Sequence, residues 1–240
     1  DVFFVVSGYL ITSILIEDVE NHRCSLLRFY ERRARRILPA LFSVLLACVP
    51  FAWAWFLPRD LLNFAQSLVA VVAFVSNIFF WKESNYFAVT AEVMPLLHTW
   101  SLAVEEQYYL FFPVFILLLW RFGKSTVFWT IFILAVVSFQ LSEWGWRNHP
   151  TANFYLAPTR VWELLAGSLA AFKLRAGGEK KNDLLALIGL VAVISSVLIY
   201  DRGTPFPSIY ALVPVLGAVL IVMYAKTGTI VARLLGTKPL

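Results

Sequence analysis

The chain has 240 residues, 60% of them hydrophobic and only 15% charged, and its mean hydropathy is +0.75. Average soluble domains are far less apolar, so the composition excludes an ordinary soluble fold and predicts a polytopic membrane protein. A net charge of +5 and a pI near 9.3 do not require nucleic acid as a partner, because Lys and Arg in membrane proteins mark cytoplasmic connections.

A hydrocarbon core of about 30 Å needs roughly 20 helical residues per crossing, and about eight apolar runs can be read between short polar breaks. The runs are continuously apolar rather than alternating, which predicts an all-α membrane helix bundle, one domain over residues 1–240, and not a β-barrel. Asp1 leads directly into the first run, Val2 to Ile16, which Ser7-Gly8 interrupts. That run is short for a crossing and has no initiator Met or signal peptide, so the sequence is expected to be a fragment. Small residues at Ser7-Gly8 admit either close helix packing or a ligand. The polar stretch Glu17 to Arg36 follows. At helical spacing, Arg28, Arg32, Arg35 and Arg36 share one face, Tyr30, Ala34, Ile37 and Leu38 lie opposite, and Arg33 lies between them.

Ile37 to Leu57 is the next predicted span, with Pro50 a possible kink and Trp53, Trp55 and Phe56 at an interfacial aromatic belt. After Pro58-Arg59-Asp60, Leu61 to Trp81 reads as one further span. Lys82 to Thr99 reads as a polar connection holding Glu83, Asn85, Glu92, Pro95 and His98. Trp100 to Trp120, Thr126 to Leu141, Arg160 to Leu174, Leu184 to Tyr200 and Ile209 to Tyr224 complete the predicted spans. Ser142 to Thr159, with two tryptophans and two prolines, is expected to lie along an interface, and the tail from Ala225 reads as weakly basic and without a terminating element. Cys24 and Cys48 sit in different settings and are not expected to pair.

The basic connections at Arg28 to Arg36, Arg121 to Lys124, Arg175 to Lys181 and Lys226 to Lys238 should all face the cytoplasm. Eight simple crossings put the first on the wrong side, and a re-entrant segment between Leu61 and Thr99 would remove the conflict.

The richest polar stretch is His98-Thr99-Trp100-Ser101-Leu102-Ala103-Val104-Glu105-Glu106-Gln107-Tyr108-Tyr109, directly before an apolar run. Charge at membrane depth costs at least a few kcal/mol unless it meets a cavity or a partner, which makes the stretch a candidate site. If a helix runs through His98, then His98, Ser101, Glu105 and Tyr109 share a face, with Glu106 beside them and Gln107 opposite. His98 could serve as a base or be a hydrogen-bonded structural residue. The paired carboxylates need a cation or a proton between them. The arginines suit a polyanion such as CoA phosphate, or equally the headgroups of membrane lipid. Arg160 and Glu163, three apart, can pair on a helix, either buried along an acceptor path or exposed at an interface. No metal-ligand spacing, Gly-rich phosphate loop or Gly-x-Ser-x-Gly elbow is present.

Five ordered segments carry a resemblance. They are Asp1-Val2-Phe3-Phe4-Val5-Val6-Ser7-Gly8-Tyr9-Leu10-Ile11, Phe29-Tyr30-Glu31-Arg32-Arg33-Ala34-Arg35-Arg36-Ile37-Leu38-Pro39, the His98 to Tyr109 stretch, Arg160-Val161-Trp162-Glu163-Leu164-Leu165-Ala166-Gly167, and Pro205-Phe206-Pro207 with Pro214-Val215-Leu216-Gly217. In order and spacing the chain resembles the acyltransferase family 3 integral-membrane O-acyltransferases. The resemblance implies transfer of an acyl group, most often acetyl, from acyl-CoA to a hydroxyl of an envelope glycan or lipid-linked glycan such as lipopolysaccharide, peptidoglycan or an exopolysaccharide. It implies a multi-pass protein of the bacterial inner membrane, with acetyl-CoA as co-substrate and no permanently bound cofactor. Arg32, Arg33, Arg35 and Arg36 would bind CoA, and Glu105, Glu106, His98 and Ser101 would form the catalytic group. Arg160, Glu163 and Tyr109 would line the acceptor site. The family's catalytic histidine lies upstream of the segment matching Asp1 to Ile11, so the resemblance assigns the His98 stretch an orienting role and implies further helices beyond both ends. A rival from another class is a proton-coupled transporter or glycan exporter, although no internal repeat is visible.

Overall fold

The computed structural model describes residues 1–86, 94–178, 180–201 and 203–236, the side chains of residues 85 and 86 excepted; Glu92 and Lys238 of the connections named above lie outside this set. Among the described residues the regular structure is helical, without strands. The chain runs through α1 (Val2–Glu20), α2 (Leu26–Trp55), α3 (Pro58–Val72), α4 (Ser76–Tyr86) and α5 (Thr99–Trp120). It continues through α6 (Lys124–Asn148), α7 (Pro150–Tyr155), α8 (Val161–Gly177), α9 (Asp183–Ile199), α10 (Leu212–Tyr224) and α11 (Ile230–Gly236). Of these, α1, α2, α5 and α6 are long and apolar enough to cross a membrane, and α9 and α10 are shorter apolar helices. The protein is a multi-pass membrane protein.

The contacts divide the chain into two compact units. One comprises residues 1–17, 118–154 and 158–240, and the other 18–117 and 155–157.

In the first unit, α1 and α8 pack at the distance of their glycines. A methyl group on Gly8 would strike the Leu164 carbonyl, and one on Gly167 the Val5 carbonyl. Beside this crossing Thr12 Oγ1 lies 2.7 Å from both the Gly8 carbonyl oxygen and Ser168 Oγ. Small residues that let backbones meet, with a buried hydroxyl pair beside them, are a common way to join helices in lipid. Ser7-Gly8 is therefore a packing site. A second glycine pair, Gly189 on α9 and Gly217 on α10, repeats the device. The connection after Leu141 is largely helical: α6 runs on to Asn148 and α7 follows at once. Within its described residues the tail carries a short helix, α11; Pro239 and Leu240 lie outside them.

In the second unit, the later part of the polar stretch, from Leu26, and most of the span predicted after it form one 30-residue helix, α2, capped by the Ser25 side chain and passing through Pro39 and Pro50. The expected span Leu61 to Trp81 is instead two short helices of 15 and 11 residues. Alpha-3 ends with Phe74 N–H on the Val71 carbonyl (3.0 Å) and Val75 N–H on the Ala70 carbonyl (2.9 Å), and Phe74 takes a left-handed φ of 54°. This closing turn usually places glycine where Phe74 stands. His22 (φ 53°) ends α1 the same way. Beyond the break the chain doubles back. Asp60 and Glu83 line one cavity, whereas on a continuous helix they would be about 35 Å apart. The pair α3–α4 is a hairpin that leaves on the side it entered. In chain connectivity alone, a hairpin here removes the parity conflict that eight simple crossings give the basic connections.

Two outcomes follow from this packing. Replacing Gly167 by Ala should lower the Tm of the complete protein in detergent by roughly 2–10 °C, because neither backbone can retreat freely. With Cys24 and Cys48 replaced by Ser, single cysteines at Asp60 and Lys82 should react with an impermeant maleimide from the same membrane side. A cysteine at Arg35 should react only from the other; labelling of position 82 from the Arg35 side would restore a straight crossing.

Candidate active site

The second unit brings the opening turns of α2 against the middle of α5. On α2, Arg28, Arg32, Arg35 and Arg36 are exposed, while Arg33 is half-buried. The Arg33 guanidinium carbon stands 5.1 Å from the centroid of the Tyr109 ring and 5.9 Å from that of Phe29. The Tyr109 hydroxyl donates to Glu105 Oε2 at 3.3 Å, and both side chains are buried. Glu106, half-buried, lies within electrostatic reach of Arg33, and its buried Oε1 has no hydrogen-bond partner among the described residues. The Tyr30 hydroxyl donates to the Leu110 carbonyl at 2.8 Å, a second tie between the two helices. A guanidinium on an aromatic face, poorly hydrated and always charged, balances carboxylates that could not stay ionised alone in an apolar setting. The group can hold a neighbouring cation in place and stabilise charge that develops beside it.

The exposed arginines make looser contacts. Arg32 Nη2 lies 3.1 Å from Asp18 Oδ2, and Arg35 Nη2 lies 2.7 Å from Glu31 Oε1. Such solvent-exposed pairs contribute little and exchange readily for a stronger anion.

His98 and Ser101 stand apart from the Arg33–Tyr109–Glu105 group. Helix α5 begins at Thr99, so His98 precedes it and is exposed, and its carbonyl accepts from the Ser101 hydroxyl at 3.2 Å. Gln107, on the opposite face, was read from sequence only by contrast with the others. It holds the hairpin apex, its Nε2 donating to the Phe74 carbonyl and to Asn77 Oδ1, each at 2.9 Å. Asn77 Nδ2 donates in turn to the Tyr155 carbonyl at 3.2 Å, and the Ser76 hydroxyl to the Thr99 carbonyl at 3.0 Å.

In the first unit, Arg160 and Glu163 form a buried pair at 2.8 Å rather than an interfacial one, with Asp1 Oδ1 3.2 Å from the same Arg160 nitrogen. Phe4, Phe154 and Phe206 surround the guanidinium at 5.5, 5.6 and 5.5 Å. Nothing in a chain so rich in aromatics singles these three out beforehand.

Against known proteins, the family model described as the acyltransferase domain matches residues 1–230. An uncharacterized protein of Haemophilus influenzae is 33% identical over 235 residues, covering 92% of this chain and 96% of its own length. The peptidoglycan O-acetyltransferase OatA of Listeria monocytogenes is 29% identical over 260 residues, covering all of this chain but 41% of its own length. The O-acetyltransferase OatA of Staphylococcus aureus strain NCTC 8325 is 36% identical over 177 residues, 72% of this chain and 29% of its own length. This chain thus spans less than half the length of those two transferases. No solved structure matches it. The match over residues 1–230 and the near full-length likeness to the Haemophilus protein show that the chain belongs to the acyltransferase family, as the order of its motifs implied.

Proposed function

We propose that this chain is the membrane part of an O-acyltransferase of the bacterial inner membrane. It takes an acyl group, most often acetyl, from acyl-CoA at the cytoplasmic face to a hydroxyl of an envelope glycan or lipid-linked glycan. Peptidoglycan is the acceptor favoured by the name of the Listeria relative; lipopolysaccharide and exopolysaccharide belong to the same chemical class. The observation that carries the reading is the double membership of Arg33, which belongs both to the basic turn of α2 and to the buried Tyr109–Glu105–Glu106 group.

In this reading the exposed guanidinium groups of Arg32, Arg35 and Arg36 take the pyrophosphate and 3′-phosphate of CoA by bidentate hydrogen bonds. The acceptor oxygen attacks the thioester carbonyl; the new C–O bond forms, the C–S bond breaks, and the acceptor proton leaves with CoA as its thiol. Glu105, fixed by Tyr109, and Glu106, balanced by Arg33, stabilise the cation formed when the base takes that proton. Arg160 and Glu163 keep the α8 entrance in shape for the acceptor.

The arginine assignment predicts that Arg32→Gln with Arg36→Gln raises the KM for acetyl-CoA about tenfold, a change of ~1.4 kcal/mol. The amount of protein in the membrane should be unchanged; an unaltered KM would reject donor binding there. For the carboxylate group, Glu105→Gln should lower kcat by about 100-fold with little change in either KM, whereas His98→Ala should leave kcat within about threefold. Steady-state transfer of labelled acetyl from acetyl-CoA to membrane glycan by the complete protein measures both.

A further inference from the structure

The hairpin α3–α4, with Phe56 and Met94-Pro95-Leu96, lines an open cavity of about 380 Å³ that the chemistry above does not use. Its walls are aromatic and its rim is charged. Phe64 and Phe79 form the walls, with Phe56 set edge-on to Phe64 at 5.8 Å. Arg59 and Asp60 stand exposed at the rim, and Asn63 and Glu83, half-buried, project polar groups from the two facing helices. The volume falls among those of small-molecule sites, roughly 300–1,000 Å³.

Charge and position narrow the occupant. One cation against two carboxylates repels a polyanion, so CoA phosphate does not suit this cavity. Five polar side chains set among six apolar ones suit an amphipathic ring better than a wholly apolar acyl chain. Aromatic faces beside carboxylate, amide and guanidinium groups fit a sugar ring, whose C–H face is apolar and whose hydroxyls need paired acceptors and donors. Phe56 follows the last turn of α2, and Arg32 lies 24 residues earlier, about 36 Å along the helix. The cavity therefore opens at the end of α2 remote from the arginines, the side on which an envelope glycan arrives.

We propose that this hairpin cavity seats a pyranose ring of the acceptor glycan, with Asn63 and Glu83 as its hydroxyl-binding groups and the phenylalanines as its stacking wall. The inference rests on the acyltransfer reading for its ligand, but on the cavity alone for its place.

The test uses the complete protein in lipid nanodiscs, with diazirine derivatives of chitotetraose and maltotetraose as photoprobes and mass spectrometry to map the label. At least one probe should label the peptides carrying Asn63 and Glu83. The underivatised sugar should displace it and acetyl-CoA should not. Asn63→Leu and Glu83→Gln, at unchanged Tm, should each cut labelling by about tenfold, and Glu83→Asp should restore part of it. In turnover the same variants should raise the KM for the sugar and leave that for acetyl-CoA alone. Label from neither probe, label confined to other peptides, displacement by decanoate instead of sugar, or full labelling of both variants overturns the proposal. Absence of acetyl transfer by the wild type counts against the acyltransfer reading only, because the cross-link judges the cavity without turnover.

Discussion

The carbonyl of Phe74 must find a donor, and the second unit is arranged around the one it finds. In hydrocarbon no water can satisfy a backbone group released where a helix stops, so an interruption inside an apolar stretch needs a partner from elsewhere in the protein. Gln107 supplies it, from the residue directly after Glu106. The hairpin apex is thereby fastened to the same two turns of α5 that carry the carboxylates and Tyr109. The reversal fixes which membrane side receives Arg59, Asp60 and Glu83, and it sets the parity of every later crossing. One amide thus links the direction of the chain, the seat of the cavity and the position of the acidic group.

Regular apolar runs were legible because their signal is additive over many residues. Breaks were not, where the sequence lacks the residue that usually makes them. Neither glycine nor proline marks the C-terminal ends of α1 and α3; His22 and Phe74 take the left-handed conformation instead, at a backbone cost of about 1–2 kcal/mol. Pro39 and Pro50, by contrast, lie inside a helix that continues through both. The change from polar to apolar at Ile37 marks where the surroundings of α2 change, and the backbone continues through it. Period alone gave the arginine face, since Arg28, Arg32, Arg35 and Arg36 are the exposed ones. The partnership of Arg33 with Tyr109 depends on how two helices approach, which spacing within either cannot encode. His98 separated from the carboxylates for a local reason, the start of the helix one residue after it.

The buried pair of the first unit follows a different economy. Taking Arg160 and Glu163 out of water is not in itself a large source of stability, since the attraction is set against the lost hydration of both ions. Arginine suits the position because its weakly hydrated, planar cation can rest among the rings of Phe4, Phe154 and Phe206 while pairing with carboxylate. These residues come from four separate stretches of the chain. A pair of this kind specifies one arrangement of them, because any alternative leaves a buried charge uncompensated.

The unbroken length of α2 bears on where the donor must travel. Thirty residues make a rod of about 45 Å, against a hydrocarbon layer of about 30 Å. With its aromatic end at one interface, Arg36 and Arg32 lie about 28 and 35 Å along the helix from Trp55, in the hydrated headgroup layer at the other. In the reading proposed above, a phosphate-bearing donor held there stays hydrated, and only the slender pantetheine arm with its thioester needs to enter the protein. The barrier posed by the membrane then falls on a small, uncharged group, while the charged bulk of the carrier stays in water.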